Sequence, residues 1–188
     1  YLKNLVLKEL LHTNWLKEND LTLRSELIEY YIKTWGGIKG NKKESIEEYC
    51  ALNAEELINK GLKGVASWSK ALVLHDWNKY AIFDARVSCS LNAIQIIYAT
   101  DNKTLFPVLA SQNKRIIVAN KNLKRIAKNE NWNKEKDDSF YNNYLKLLSK
   151  VASKLETNIS TIEMLLFAKV EEFIDKANLL EETIPNNS

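Results

Sequence analysis

The sequence predicts an all-α fold, and three observations carry that expectation. Glycine and proline are scarce, with 5 Gly and 2 Pro in 188 residues. All-β domains with many tight turns need more of both. Apolar residues recur at helical spacing over most of the chain, and residues suited to N-capping precede several of these stretches. A hydrophobic content of 45% with 27% charged residues supplies a core and argues against disorder. The length fits one domain, residues 1–188.

The elements follow in order. Leu2, Leu5, Val6, Leu10 and Leu11 share helical spacing, which predicts a helix from residue 2 to about 17. Leu23, Leu27, Ile28 and Tyr31 continue the pattern, with Thr22 as N-cap and Gly36-Gly37 as the stop. A short helix is expected over 44–51. Asn53 and Glu56 form a capping box for another from Ala54 to Lys60, closed by Gly61 in the left-handed position. Leu62 to Ala66 then leads into a helix from about Ser67 to Asp76. Asp84 stands at the N-cap of the clearest helix, about Ala85 to Ala99, whose stripe is Val87, Leu91, Ile94 and Tyr98. Residues 100–113 contain Pro107 and read as a loop, and 114–129 as a basic helix. Phe140, Tyr144, Leu147, Leu148, Val151 and Leu155 mark a long helix. Ser160 with Glu163 is a capping box for the last one, and a frayed polar tail is expected over 181–188.

Composition excludes several function classes. Cys50 and Cys89 are too few for a zinc finger, a four-cysteine cluster or a disulfide framework, and read as reduced thiols of a cytoplasmic protein. His12 and His75 do not make a triad or a metal site. No Gly-rich phosphate loop or serine elbow is present, so neither metal nor cofactor is expected. No apolar run reaches membrane-spanning length and no signal peptide is visible. The net charge is only +3, yet Asn102 to Lys136 holds nine Lys and Arg against two Glu. That local +7 leaves −4 for the rest of the chain. Such asymmetry suits a surface that meets phosphates, led by Lys114 and Arg115; the plainer reading is a solvated basic helix.

Leu62-Lys63-Gly64-Val65-Ala66-Ser67-Trp68 lies between two short helices and resembles the hairpin of helix-hairpin-helix proteins, usually Leu-Pro-Gly-Val-Gly. A glycine-permitted turn points successive backbone N–H groups outward where a helix begins, and these hold a DNA phosphate without reading sequence. Downstream come a helix, the stretch Tyr80-Ala81-Ile82-Phe83, and then Asp84 opening an amphipathic helix. This order is similar to that of helix-hairpin-helix DNA glycosylases. The runs Ser67-Trp68-Ser69-Lys70 and Ala81-Ile82-Phe83-Asp84-Ala85-Arg86-Val87 look most like bacterial proteins with an 8-oxoguanine DNA glycosylase fold. Trp35-Gly36-Gly37, Phe106-Pro107 and Ile162 to Phe167 also sit where such proteins have similar residues. The resemblance is specific over residues 62–92, although the spacing from Trp68 to Asp84 is shorter than usual.

The resemblance implies two helical subdomains flanking a cleft, with the hairpin (61–68) and Asp84 in one and the terminal helices in the other. It implies excision of a damaged or modified base from double-stranded DNA by a monomer. Asp84 would stabilise the oxocarbenium-like sugar and orient the nucleophile; by itself the residue also reads simply as a cap. Lys63, Gly64, Val65 and Ala66 would hold the DNA backbone. Arg86 would reach a phosphate or make an ion pair. Trp35, Trp68 and Trp132 would stack on an extruded base or fill the core. Bifunctional members carry a lysine just after the hairpin, which forms a Schiff base with the sugar. Here that position is Trp68, as in members that use water alone, so a monofunctional enzyme is favoured, with lyase activity possible through Lys70. The alternatives are a non-catalytic helix-hairpin-helix DNA-binding module and a helical protein-interaction domain. Activity separates the first from the second, and DNA affinity separates both from the third.

Overall fold

The computed structural model describes residues 2–183. Among them are nine α-helices, one π-helical segment and one two-stranded ladder, so the chain is all-α in substance. The helices are α1 (Leu2–Lys17), α2 (Leu21–Glu29), α3 (Lys43–Ala51), α4 (Ala54–Ile58), α5 (Val65–His75), α6 (Ala85–Ile97), α7 (Lys114–Asn129), α8 (Phe140–Lys154) and α9 (Ile159–Thr183). The strands β1 (Thr104–Leu105) and β2 (Asn133–Lys134) pair in parallel, Thr104 with Asn133 and Leu105 with Lys134. Two residues per strand leave no alternation to read, so sequence periodicity shows only a loop here.

The chain divides into two compact units. Unit 1 runs through Phe83 and adds Tyr141–Met164; unit 2 holds Asp84–Phe140 and the chain from Leu165 onward. The hairpin therefore belongs with the N-terminal helices, and Asp84 opens the other unit. The expected grouping of hairpin with Asp84 is corrected on this point: α5 packs on α1 and α4, whereas Asp84 continues directly into α6.

In unit 1, α2 is capped by Asp20 and not by Thr22, because the Asp20 carboxylate accepts from the N–H groups of Thr22 and Leu23. Those two bonds hold its pKa below the ordinary carboxylate value. The helix then runs into a π-helical turn, Tyr30–Trp35, and stops at Gly36 as the sequence predicts. The Asn53–Glu56 capping box forms with both reciprocal bonds. Gly61 is left-handed at φ 61°. Tyr80–Phe83 is pinned as an extended strap: Tyr141 and Tyr144 donate to the carbonyls of Ala81 and Ile82, and Ser69 Oγ accepts from the N–H of Phe83.

The buried face of α1 differs from the one its leucines suggest. Lys8, Leu11 and Trp15 face inward, while Leu2, Val6 and Leu10 are exposed. The reason lies at the start of α9. Asn158 caps that helix, accepting from the N–H of Thr161. Ser160 is instead inside the helix and donates to the Trp77 carbonyl. Glu163 is freed from the expected capping box and meets the Lys8 ammonium, with both side chains fully buried. Of the expected tail, residues 181–183 still belong to α9; residues 184–188 lie outside the described residues.

In unit 2, α6, α7 and the second part of α9 share a core of Cys89, Ile116, Ala119, Leu123, Val170 and Ile174. Ile126, Ala127 and Trp132 form a smaller cluster against Leu105 and Ile96. Ser90 and Asn92 are buried but satisfied, Ser90 by the Leu166 carbonyl and Asn92 by both backbone groups of Phe106. Burial pushes the Cys89 thiol up to about 12, so it stays protonated and inert.

Breaking the Lys8–Glu163 pair from one side leaves a buried charge without its partner. Glu163→Gln is expected to cost about 3–5 kcal/mol in urea unfolding, and Lys8→Met with Glu163→Leu should recover most of it. A single-variant loss near that of a surface pair, about 1 kcal/mol or less, would remove the pair from this role.

His75 makes the stability of unit 1 sensitive to pH. It stacks on Trp15 at 4.9 Å, and its Nε2 is buried without a hydrogen bond. Burial first, then Arg24 and His12, lower its pKa below the ordinary 6.5. The unfolded chain takes up the proton more readily, so this contribution is complete above about pH 6.5 and is lost as the pH falls. Urea midpoints should drop between about pH 7.5 and 5.5, and His75→Phe should flatten that drop.

Candidate functional site

The hairpin of unit 1 is built around two glycines and one tryptophan. Gly64 adopts φ 74°, and a Cβ there would meet the Tyr49 hydroxyl at 2.9 Å. The left-handed backbone favours glycine, and the Tyr49 hydroxyl would have to shift for any side chain placed there. Gly64 is the N-cap of α5, and its carbonyl accepts from Ser67 and Trp68. The N–H groups of Lys63, Gly64 and Ala66 find no acceptor among the described residues, whereas that of Val65 donates to Leu62. Lys63 and Gly64 are exposed and Ala66 is half-buried. An anion held by neighbouring backbone N–H groups at a helix start needs this kind of unengaged set.

Two of the expected roles in the hairpin are corrected. Val65 is buried and its N–H is already used, so it anchors the hairpin and offers no donor. Trp68 is fully buried; its indole N–H donates to the Gly61 carbonyl at 3.2 Å and its ring meets Tyr141 edge-on. A ring enclosed in this way braces the hairpin from inside and presents no face to a base. Trp35 is half-buried on the π-helical turn, against Tyr31 at 4.7 Å and with its N–H toward Asn4.

Lys70 lies one turn into α5 and is only 3% exposed. Its ammonium donates to the Ala66 carbonyl at 2.5 Å. Its chain passes over Gly36, where a Cβ would stand 2.6 Å from Lys70 Cε. Gly36 therefore does two things: it ends the π-helical turn and makes room for Lys70. No local sequence signal links the two positions, because they meet only through packing. The hairpin's Ser67 is held similarly from afar, by the Asn41 side-chain amide at 2.8 Å.

Asp84 is the N-cap of α6, as the sequence predicts. Its Oδ1 accepts from Arg86 N–H at 2.9 Å and Val87 N–H at 3.0 Å. Oδ2 makes no hydrogen bond or ion pair among the described residues, and the residue is half-buried. The cap thus fixes the carboxylate plane while leaving one oxygen uncommitted. Arg86 does not pair with it. Its guanidinium lies 5.1 Å over the Phe167 ring and 4.0 Å from Glu171.

Of the two residues expected to lead the basic segment, Lys114 is exposed and makes no ion pair among the described residues, while Arg115 is engaged. Arg115 bridges Glu171 at 3.1 Å and Asp175 at 2.5 Å on α9, which raises its pKa further. It is drawn toward carboxylates and away from the role expected of it, because α9 places two acids beside the start of α7. Trp132 is nearly buried and donates to Glu130, which makes it a wall of unit 2 instead of a free stacking platform.

Among the described residues no group of His, Cys, Asp and Glu could hold a metal ion, and no helix is long and apolar enough to cross a membrane. No family model matches the chain, and no curated protein or solved structure matches it.

The geometry separates capping from any chemistry at Asp84. Asp84→Asn keeps a capping oxygen and should change stability by no more than a few tenths of a kcal/mol, while Asp84→Ala should cost about 1 kcal/mol. Urea unfolding checks both; an Asn variant as unstable as the Ala variant would mean that the charge, and not the cap, holds the start of α6.

Proposed function

We propose that the chain is a DNA glycosylase that removes a damaged or modified base from duplex DNA. The observation that carries this reading is the state of Asp84. One carboxylate oxygen is locked by the start of α6 and the other is uncommitted. An ionised carboxylate held this way suits a sugar that develops positive charge as the C1′–N bond breaks. The bond's electron pair leaves with the base, water supplies the new oxygen at C1′, and Asp84 orients that water and receives its proton. The hairpin supports the reading from unit 1: the unengaged N–H groups of Lys63, Gly64 and Ala66 suit one backbone phosphate. Of Trp35, Trp68 and Trp132, Trp35 is the one that is only half-buried.

A monofunctional reaction is favoured. The residue immediately after the hairpin is the enclosed Trp68, and the Lys70 amine is already bonded to the Ala66 carbonyl. A Schiff base at Lys70 would require that bond to open.

A cleavage assay on duplexes carrying a panel of damaged or modified bases tests the proposal. Wild type should release a base and Asp84→Asn should not, with both proteins folded and DNA-bound. Strand breaks should appear only after alkali, and borohydride should trap no covalent adduct. Base release equal in the two proteins removes Asp84 from the chemistry. No release on any duplex, with binding intact, leaves the binding module.

A further inference from the structure

The basic segment does not act as one block, because α9 divides it by residue type. Arg115 is held by Glu171 and Asp175, and Arg125 by Glu181. The lysines of the same helix are not taken up. Lys114, Lys121, Lys124 and Lys128 are exposed and make no ion pair among the described residues. Lys114, Lys121 and Lys128 are seven residues apart, two turns each, so they form a row about 20 Å long on the solvent face of α7. Its other face, Ile116, Ala119, Leu123 and Ile126, is buried in unit 2, so the row is fixed to a packed helix.

Beside the end of α7 lies a groove. Its floor is Leu105, Ala127 and Trp132, and its rim is Lys124, Lys128 and Lys134 with Asn131. No carboxylate lines it. Glu130 is next to it in sequence but is occupied by Lys103 and the Trp132 indole N–H, with its pKa held low by those partners. The parallel ladder is what brings Lys134 here: pairing with Leu105 sets β2 beside the helix end. Three ammonium groups around an apolar floor repel cations and attract an anion. An extended row continuing into such a groove fits a chain of charges better than one compact ion.

We propose that Lys121, Lys124, Lys128 and Lys134, with the groove they border, form a surface in unit 2 that holds the sugar–phosphate backbone of duplex DNA. This is a second backbone-binding surface, on a different unit from the hairpin. The choice of DNA over other polyanions rests on the base-excision reading above; the anionic, extended character of the ligand does not. The interaction is electrostatic and independent of sequence, and releases condensed counterions. The arginines paired to α9 take no part.

The test is binding of the full chain to a short unmodified duplex, by fluorescence anisotropy over a range of KCl concentrations. A variant with Lys121→Gln, Lys124→Gln, Lys128→Gln and Lys134→Gln should bind at least about tenfold more weakly at low salt. The slope of log K against log salt should fall by about 0.9 for each phosphate that the variant no longer neutralises. The four Lys→Arg changes should keep both. A control with Lys3, Lys17, Lys39 and Lys42 changed to Gln removes the same charge from exposed positions of unit 1 and should leave the slope unchanged. Equal slope reductions in the control and test variants would overturn the proposal, since net charge alone would then suffice. So would an unchanged slope in the test variant, or weakened binding to anionic phospholipid vesicles in place of DNA. The duplex carries no lesion, so the outcome is independent of excision. A reduced slope with no base release anywhere leaves this surface standing and removes the catalytic reading of Asp84.

Discussion

Lys8 and Glu163 meet inside unit 1, 155 positions apart in the chain. Neither can be buried alone, since an unpaired charge in that environment carries a penalty of several kcal/mol. Their meeting therefore imposes two conditions at once. It turns α1 so that Lys8, Leu11 and Trp15 face inward and the Leu2, Val6, Leu10 stripe faces solvent. It also sets the start of α9, which Asn158 caps and Ser160 ties to Trp77. Tyr31 and Tyr141 lie in the field of the same carboxylate, and burial with that charge raises both phenols far above the ordinary value. The tyrosines stay neutral, and the region keeps one compensated pair of charges.

The extended strap before Asp84 is held within the same unit. Tyr141 and Tyr144 hold the Ala81-Ile82 strap by its carbonyls, and Ser69 holds Phe83. The strap ends at the residue before Asp84. Trp68 fixes the hairpin through Gly61 from the next turn of α5. Trp68, Tyr141 and Tyr144 thus act as struts: their rings fill the interior and their polar ends satisfy backbone carbonyls that the irregular segments leave open. That use of Trp68 competes with any role in meeting a base, and the interior wins because the ring is wholly enclosed.

Unit 2 shows a similar division among its cations. Guanidinium groups form forked bonds with carboxylates, and α9 supplies Glu171, Asp175 and Glu181 for them. Lysine makes a hydrated point charge and stays in solvent along α7. A stretch that reads as uniformly basic therefore presents a mostly lysine surface. Its arginines fasten two helices together, and Arg86 lies over Phe167 near the same acids.

What the sequence by itself determined is local. The all-α class, the α4 capping box, the left-handed Gly61, the Asp84 cap and the basic helix over 114–129 all depend on residues within a turn or two of one another, so spacing alone reveals them. The glycine turn at Gly64 before α5 is likewise written in consecutive residues, while its reading as a hairpin rests on a resemblance. Tertiary structure decided everything that rests on distant partners. It decided which face of α1 is buried, that Glu163 pairs and does not cap, that Trp68 is enclosed, and that Gly36 makes room for Lys70. It also decided that Arg115 is taken by α9, and that a two-residue ladder brings Lys134 beside α7. In each case the deciding contact is made with a residue distant in the chain, whether it buries a charge or a ring, pairs exposed charges or limits space. Such contacts leave no periodic trace in the local sequence.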